Sequence, residues 1–103
     1  MGSGSLEVFA TPAMAALMEN AAMEAVAPEL PAGATTVGTR LEISHLRATP
    51  TGESVTAEAR LTEVDGRRLL FKVEARDSQG IIGQGLHERF IVDCAKFMGK
   101  LKK

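Results

Sequence analysis

The stretch Thr11-Pro12-Ala13-Met14-Ala15-Ala16-Leu17-Met18-Glu19-Asn20-Ala21-Ala22-Met23-Glu24-Ala25-Val26-Ala27 decides the fold. Met14, Leu17, Met18, Ala21, Ala25 and Val26 recur at helical spacing. Thr11 suits the N-cap, and Pro12 suits the first helical position, where its missing N–H would have no helical partner anyway. Pro28 disfavours helical geometry in the residue before it, so the helix is expected to stop near Ala27. Small Ala side chains let another backbone approach closely and Met fills irregular gaps. A helix buried on most sides is therefore expected, and the rest of the chain has to cover it.

Beyond Pro28 to Gly33 the hydropathic period changes to two. From Val37 to Arg47, one face carries Val37, Thr39, Leu41, Ile43 and His45, and the other carries Gly38, Arg40, Glu42 and Ser44. Thr49-Pro50-Thr51-Gly52 reads as a turn. In the next strand Val55, Ala57, Ala59 and Leu61 alternate with Thr56, Glu58, Arg60 and Thr62. Asp65-Gly66 is a hairpin signal, after which Leu69, Phe71, Val73 and Ala75 alternate with polar neighbours and Leu70. Ser78-Gln79-Gly80 turns the chain into a long strand from Ile82 to Val92, with Gly83 and Gly85 marking a bend or a close backbone approach. Asp93 is placed to cap a short terminal helix through Phe97 and Leu101, followed by a Lys-rich tail; Met1 to Ser5 reads as a flexible segment. One helix and four antiparallel strands make an α+β domain over 1–103, a sheet curled around one long central helix. Its sheet edges and the far flank of the helix stay open, so self-association into a dimer or tetramer is expected.

Composition narrows the function classes. The chain has 103 residues, with 12 Lys and Arg against 13 Asp and Glu and a net charge of -1. That balance argues against a nucleic-acid binder, which needs a basic stripe. No apolar run approaches the roughly 20 residues that a membrane helix requires. One Cys excludes an intramolecular disulfide framework and fits a reducing, cytoplasmic setting. No phosphate-cradling glycine loop, metal-type Cys/His spacing or nucleophile elbow is present, and no cofactor is implied.

Three polar residues remain in apolar surroundings: Thr11, Glu19 and His45. Each has an ordinary structural reading, as a helix cap, as a solvated stripe with Glu24, and as a satisfied core or interface histidine. The alternative is a carboxylate that serves as general base or nucleophile, a His that carries the proton and a hydroxyl that orients the site. Thr11 and Glu19 lie eight positions apart, about 12 Å along a helix. If both act on one substrate atom, they are expected to come from different subunits. His87-Glu88-Arg89 and Arg67-Arg68 read as a charged strand end and a solvated turn, with phosphate contact as the alternative. Met14, Met18 and Met23 read as packing, and Cys94 as an incidental thiol.

The run from Val8 to Glu19 resembles the helix segment of hotdog-fold thioesterases of the fluoroacetyl-CoA thioesterase-like group. Val37-Gly38-Thr39 with Ile43-Ser44-His45 resembles the strand that carries the family histidine. Glu63 to Leu69 and Ile82 to Arg89 resemble its closing hairpin, so the likeness spans about Gly2 to Leu101. The resemblance implies a hotdog fold and hydrolysis of an acyl-CoA thioester. It implies catalytic roles for Thr11, Glu19 and His45, with Glu19 as base or nucleophile, and substrate-binding roles for Gly38 and Arg89. Relative to the family, an N-terminal strand and lid are expected to be missing. Gly2 to Leu6 resembles family sequence, which favours a truncated or late-starting chain over a cloning scar. With no lid segment, fluoroacetyl specificity is not implied. The alternative from another class is a non-catalytic acyl-CoA binding or assembly module of the same fold; a hotdog dehydratase would need a His/Asp arrangement that the sequence does not match.

Overall fold

The computed structural model describes residues 10–101. The segment Met1 to Ser5, the run through Phe9 and the last two lysines lie outside the described residues. The element order is α1 (Thr11–Val26), a 3-10 turn (Ala27–Glu29), β1 (Ala34–His45), β2 (Thr56–Asp65), β3 (Arg68–Asp77), β4 (Gly80–Asp93) and α2 (Cys94–Leu101). The four strands form one antiparallel sheet in the order β1-β4-β3-β2. The helix stops where Pro28 demands, and Asp93 caps α2 by accepting the Lys96 N–H at 3.0 Å.

The core lies between α1 and the inner face of the sheet. Met14, Met18, Ala22 and Val26 form the buried stripe of α1, spaced four apart. They meet Leu69, Phe71, Val73 and Ala75 of β3, the four residues that alternation assigned inward, together with Ile82. The expectation of a helix buried on most sides is corrected: Ala13, Ala16 and Ala25 are exposed, as is Met23. A four-stranded sheet offers one face, so within one chain it buries one helical stripe. Leu61 is also exposed rather than inward-packed: it stays in phase opposite the buried Phe71, but it lies on β2, the edge strand of the sheet.

Two glycines of β4 set how closely the layers approach. A Cβ on Gly83 would collide with the Met14 thioether, so its absence lets α1 settle on the sheet. A Cβ on Gly85 would run into the Glu42 carbonyl and Ile43 of β1. At the opposite side of the sheet entry, Asp77 latches the β1–β2 connection onto the β3–β4 turn. It accepts bonds from Arg47 Nη2 at 2.7 Å, Thr49 Oγ1 at 2.8 Å and the Gln79 N–H at 2.8 Å. The Arg47 bond leads in holding the Asp77 carboxyl down to about 2 from its ordinary 3.8, with the Gln79 and Thr49 bonds assisting against desolvation.

Two predictions follow from this packing. Gly85→Ala destabilises the domain by about 1–3 kcal/mol, the usual cost of forcing atoms into a filled space; Gly99→Ala, where a Cβ meets open space in α2, does not destabilise it. Urea unfolding of the two variants checks this. Because the folded-state pKa of Asp77 is depressed, its contribution is fully present above pH about 4 and is lost as pH falls through about 2. Asp77→Asn therefore lowers stability at pH 5 and shows a shallower decline than the parent between pH 4 and 2, measured by urea titrations at stepped pH.

Candidate active site

Two groups of polar side chains lie along β1, one near each end. The first joins α1 to the end of β1. Thr11 is the first helical residue, and the N-cap position belongs to Ala10, which makes no side-chain cap. The N-cap reading of Thr11 is thereby corrected: its backbone is already helical, and its hydroxyl is engaged elsewhere. Thr11 Oγ1 lies 2.9 Å from His45 Nδ1. With the hydroxyl donating, Nδ1 supplies the lone pair and the ring proton sits on Nε2. Nε2 is shielded from solvent and has no hydrogen-bond partner among the described residues. A buried polar atom left this way typically costs about 1–3 kcal/mol, which marks the ring as more than a packing element.

The second group centres on Arg89, a buried guanidinium on β4. Arg89 Nε donates to Thr36 Oγ1 at 2.7 Å, Nη2 donates to the Thr36 carbonyl at 2.8 Å, and Nη1 lies 3.2 Å from His87 Nε2. All three partners are neutral acceptors. Burial pulls the Arg89 pKa below its ordinary value, while the negative charge of Glu19 on α1 acts in the opposite sense. Glu19 is half-buried. Gly38 stands directly against this group: a Cβ there would sit 3.2 Å from His87 Cε1 and 3.3 Å from Arg89 Nη1. The missing side chain keeps the space before the guanidinium open.

A bulge brings Gly38 to that position. Gly38 pairs with Arg89 and Arg40 with Glu88, so Thr39 is the extra residue in β1. The alternation expected from sequence, with Gly38 opposite His45 and Thr39 beside it, is corrected. Thr39 turns to the outer face and donates to Glu88 Oε1 at 2.7 Å. Arg68 Nε donates to Glu88 Oε2 at 2.5 Å. The Thr39 bond, then the Arg68 bond, hold the Glu88 carboxyl below its ordinary range.

The structure thus brings Thr11 to His45, and Gly38 to Arg89 with Glu19 acting on the same cation. It does not bring the two groups together within one chain. Gly38 and His45 are seven residues apart on one strand, roughly 20 Å at about 3.3 Å per residue. The reading of His87-Glu88-Arg89 as a charged strand end is corrected as well: only Glu88 faces outward. The sequence offers His87 only within that charged run, as a phosphate contact at most, although a sharper signal exists. It pairs with Phe71, and Arg89 with Leu69, two β3 positions whose inward face was legible. A separate groove of about 550 Å3 between α1 and β2, lined by residues including Ala21, Glu24, Ala57 and Lys72, contains none of the five candidates.

The fold, one helix seated on an antiparallel sheet in the order β1-β4-β3-β2, is shared with solved hotdog-like proteins of the thioesterase superfamily. The profile of the fluoroacetyl-CoA-specific thioesterase family matches residues 1–95. The fluoroacetyl-CoA thioesterase of Streptantibioticus cattleyicolor is 44% identical over 97 residues, covering 94% of this chain and 70% of that one. A solved structure of the fluoroacetyl-CoA thioesterase superposes with a TM-score of 0.91 at 43% identity, covering 96% of this chain and 73% of the other. A thioesterase superfamily member from Thermus thermophilus gives a TM-score of 0.90 at 31% identity, covering 95% and 72%. The chain belongs to the fluoroacetyl-CoA-specific thioesterase family, and its reaction class is thioester hydrolysis.

Proposed function

We propose that this chain hydrolyses the CoA thioester of a small acyl group at a site shared by two copies. One copy supplies Thr11 and His45, and the other supplies Glu19, Gly38 and Arg89. The observation that carries this reading is the division of the candidates into two groups along a strand whose outer edge has no partner among the described residues. In an antiparallel pairing of two β1 edges about a two-fold axis, opposed residue numbers have a constant sum. A pairing centred between Leu41 and Glu42 sets Gly38 of one copy opposite His45 of the other, and each of the two sites receives both groups.

Chemistry then runs as follows. Glu19 takes a proton from water as the water oxygen attacks the acyl carbon, or attacks that carbon itself to give an anhydride that water opens. Negative charge grows on the carbonyl oxygen beside Gly38, where the Arg89 cation stabilises it. The carbon–sulfur bond breaks, and His45, oriented by Thr11, relays to the departing thiolate a proton that comes from the water, by way of Glu19 in the first route and as that water opens the anhydride in the second, so both side chains return to their starting forms. The relatives support a CoA thioester as substrate. A variant of the fluoroacetyl-CoA-specific thioesterase has been solved with fluoroacetate and CoA, and a threonine-to-serine variant with acetyl-CoA.

Thiol release from a panel of short-chain and aryl acyl-CoAs tests the activity. Glu19→Ala and His45→Ala each lower turnover at least 100-fold, in line with loss of a general acid or base, without loss of the fold by circular dichroism. Acyl-CoA binding with no turnover across the panel would instead favour a binding module. The shared site has its own test. When inactive Thr11→Ala and Glu19→Ala chains are mixed under conditions of subunit exchange, half of the dimers are mixed. Each mixed dimer regains one intact site, so about a quarter of parent activity returns; no recovery would place both groups in one subunit.

A further inference from the structure

We propose that His87 is a positioning residue, which locks the Arg89 guanidinium and the Gly38 bulge into one rigid unit through a fixed ring tautomer. The inference rests on the reading of Arg89 as a substrate-facing cation. His87 is 1% exposed, so both its nitrogens must find partners in the protein. Nε2 lies 3.2 Å from Arg89 Nη1, and Nδ1 lies 2.8 Å from the Arg40 carbonyl. A guanidinium has donors and no acceptor, and a carbonyl has only lone pairs. Arg89 must therefore donate to an unprotonated Nε2, and the ring proton must sit on Nδ1, which donates to Arg40. Neither the other tautomer nor the imidazolium satisfies both neighbours.

The two partners give this ring its consequence. Arg40 is the first residue in β1 to resume pairing after the extra Thr39, so its carbonyl belongs to the bulge that delivers Gly38 to the site. Thr36 fixes the Nε and Nη2 side of Arg89, and His87 fixes Nη1, the nitrogen nearest Gly38. The Phe71 ring, the cross-strand neighbour of His87 on β3, lies 6.4 Å from the imidazole between centroids. Removing the imidazole frees the cation end and the bulge together. Displacements of about 1 Å in a preorganised site cost up to about 100-fold in rate.

Long-range 15N–1H correlation spectra of the unaltered chain read the tautomer directly. The Nδ1–H form is expected for His87, and an Nε2–H or doubly protonated ring overturns the proposal. Kinetics with acetyl-CoA then separate positioning from structure. His87→Leu lowers kcat/KM about 10- to 100-fold, and His87→Gln, which keeps an acceptor for Arg89, recovers at least part of that loss. In an Arg89→Met background, His87→Leu costs less than about threefold further, because the two residues act as one unit. An equal cost of His87→Leu in both backgrounds overturns the positioning role alone. An Arg89→Met chain with unchanged kcat/KM overturns the reading of Arg89 and the positioning role with it.

Discussion

Thr39 has no counterpart across the β1–β4 ladder, and the phase of β1 changes at that one residue. Before it, Gly38 faces α1; after it, Leu41, Ile43 and His45 do. Without the extra residue a strict period of two would send either Gly38 or His45 to the outer face. The bulge is held from both sides. On the outer face the Thr39 hydroxyl and Arg68 bind the two oxygens of Glu88, and on the inner face the His87 ring takes up the Arg40 carbonyl. A defect in the ladder is thus converted into a fixed geometry, and every polar candidate of the sheet depends on it.

The helix imposes the second constraint. Its buried stripe recurs every four residues, which ties Met14 to the gap over Gly83 and carries the chain past Met18, Ala22 and Val26. Thr11 and Glu19 are held at opposite ends of two helical turns by that packing, and neither can slide toward the other without lifting the stripe off β3. The separation of the two polar groups follows from the core, and under the proposed reading the site is completed across a symmetry axis.

Legibility in the sequence followed regularity of the backbone. β3 contains no extra residue of its own, the irregularities of its two ladders being Thr62 on β2 and Ile82 on β4, and Leu69, Phe71, Val73 and Ala75 all fall inward as alternation requires. The end of α1 was equally readable, because proline acts locally. The faces of Gly38 and Thr39 were not, since an inserted residue leaves no mark on composition. Thr11 illustrates a different limit: a threonine beside the first proline of a helix satisfies the capping pattern, yet the helix begins one residue earlier and the hydroxyl goes to a residue 34 positions away. Long-range partners outcompete local ones when the fold brings them within reach, and no local rule anticipates it.

Arg89 shows why neutral partners matter to the proposed chemistry. A buried guanidinium bonded directly to a carboxylate would have its charge neutralised at short range, at a desolvation cost that pairing only partly returns. Here Thr36 Oγ1, the Thr36 carbonyl and His87 Nε2 occupy its donors, and Glu19 acts on it through space. The cation is held in place and desolvated while its field remains available at the opening left by Gly38. Under the proposed mechanism the negative charge that grows during thioester attack meets that field only as it forms, which favours the transition state over the neutral ground state. Glu19 makes no ion pair among the described residues, so under the same mechanism it takes up a proton or attacks carbon without a close cation holding its charge, and the two charges of the second group cooperate because they are kept apart.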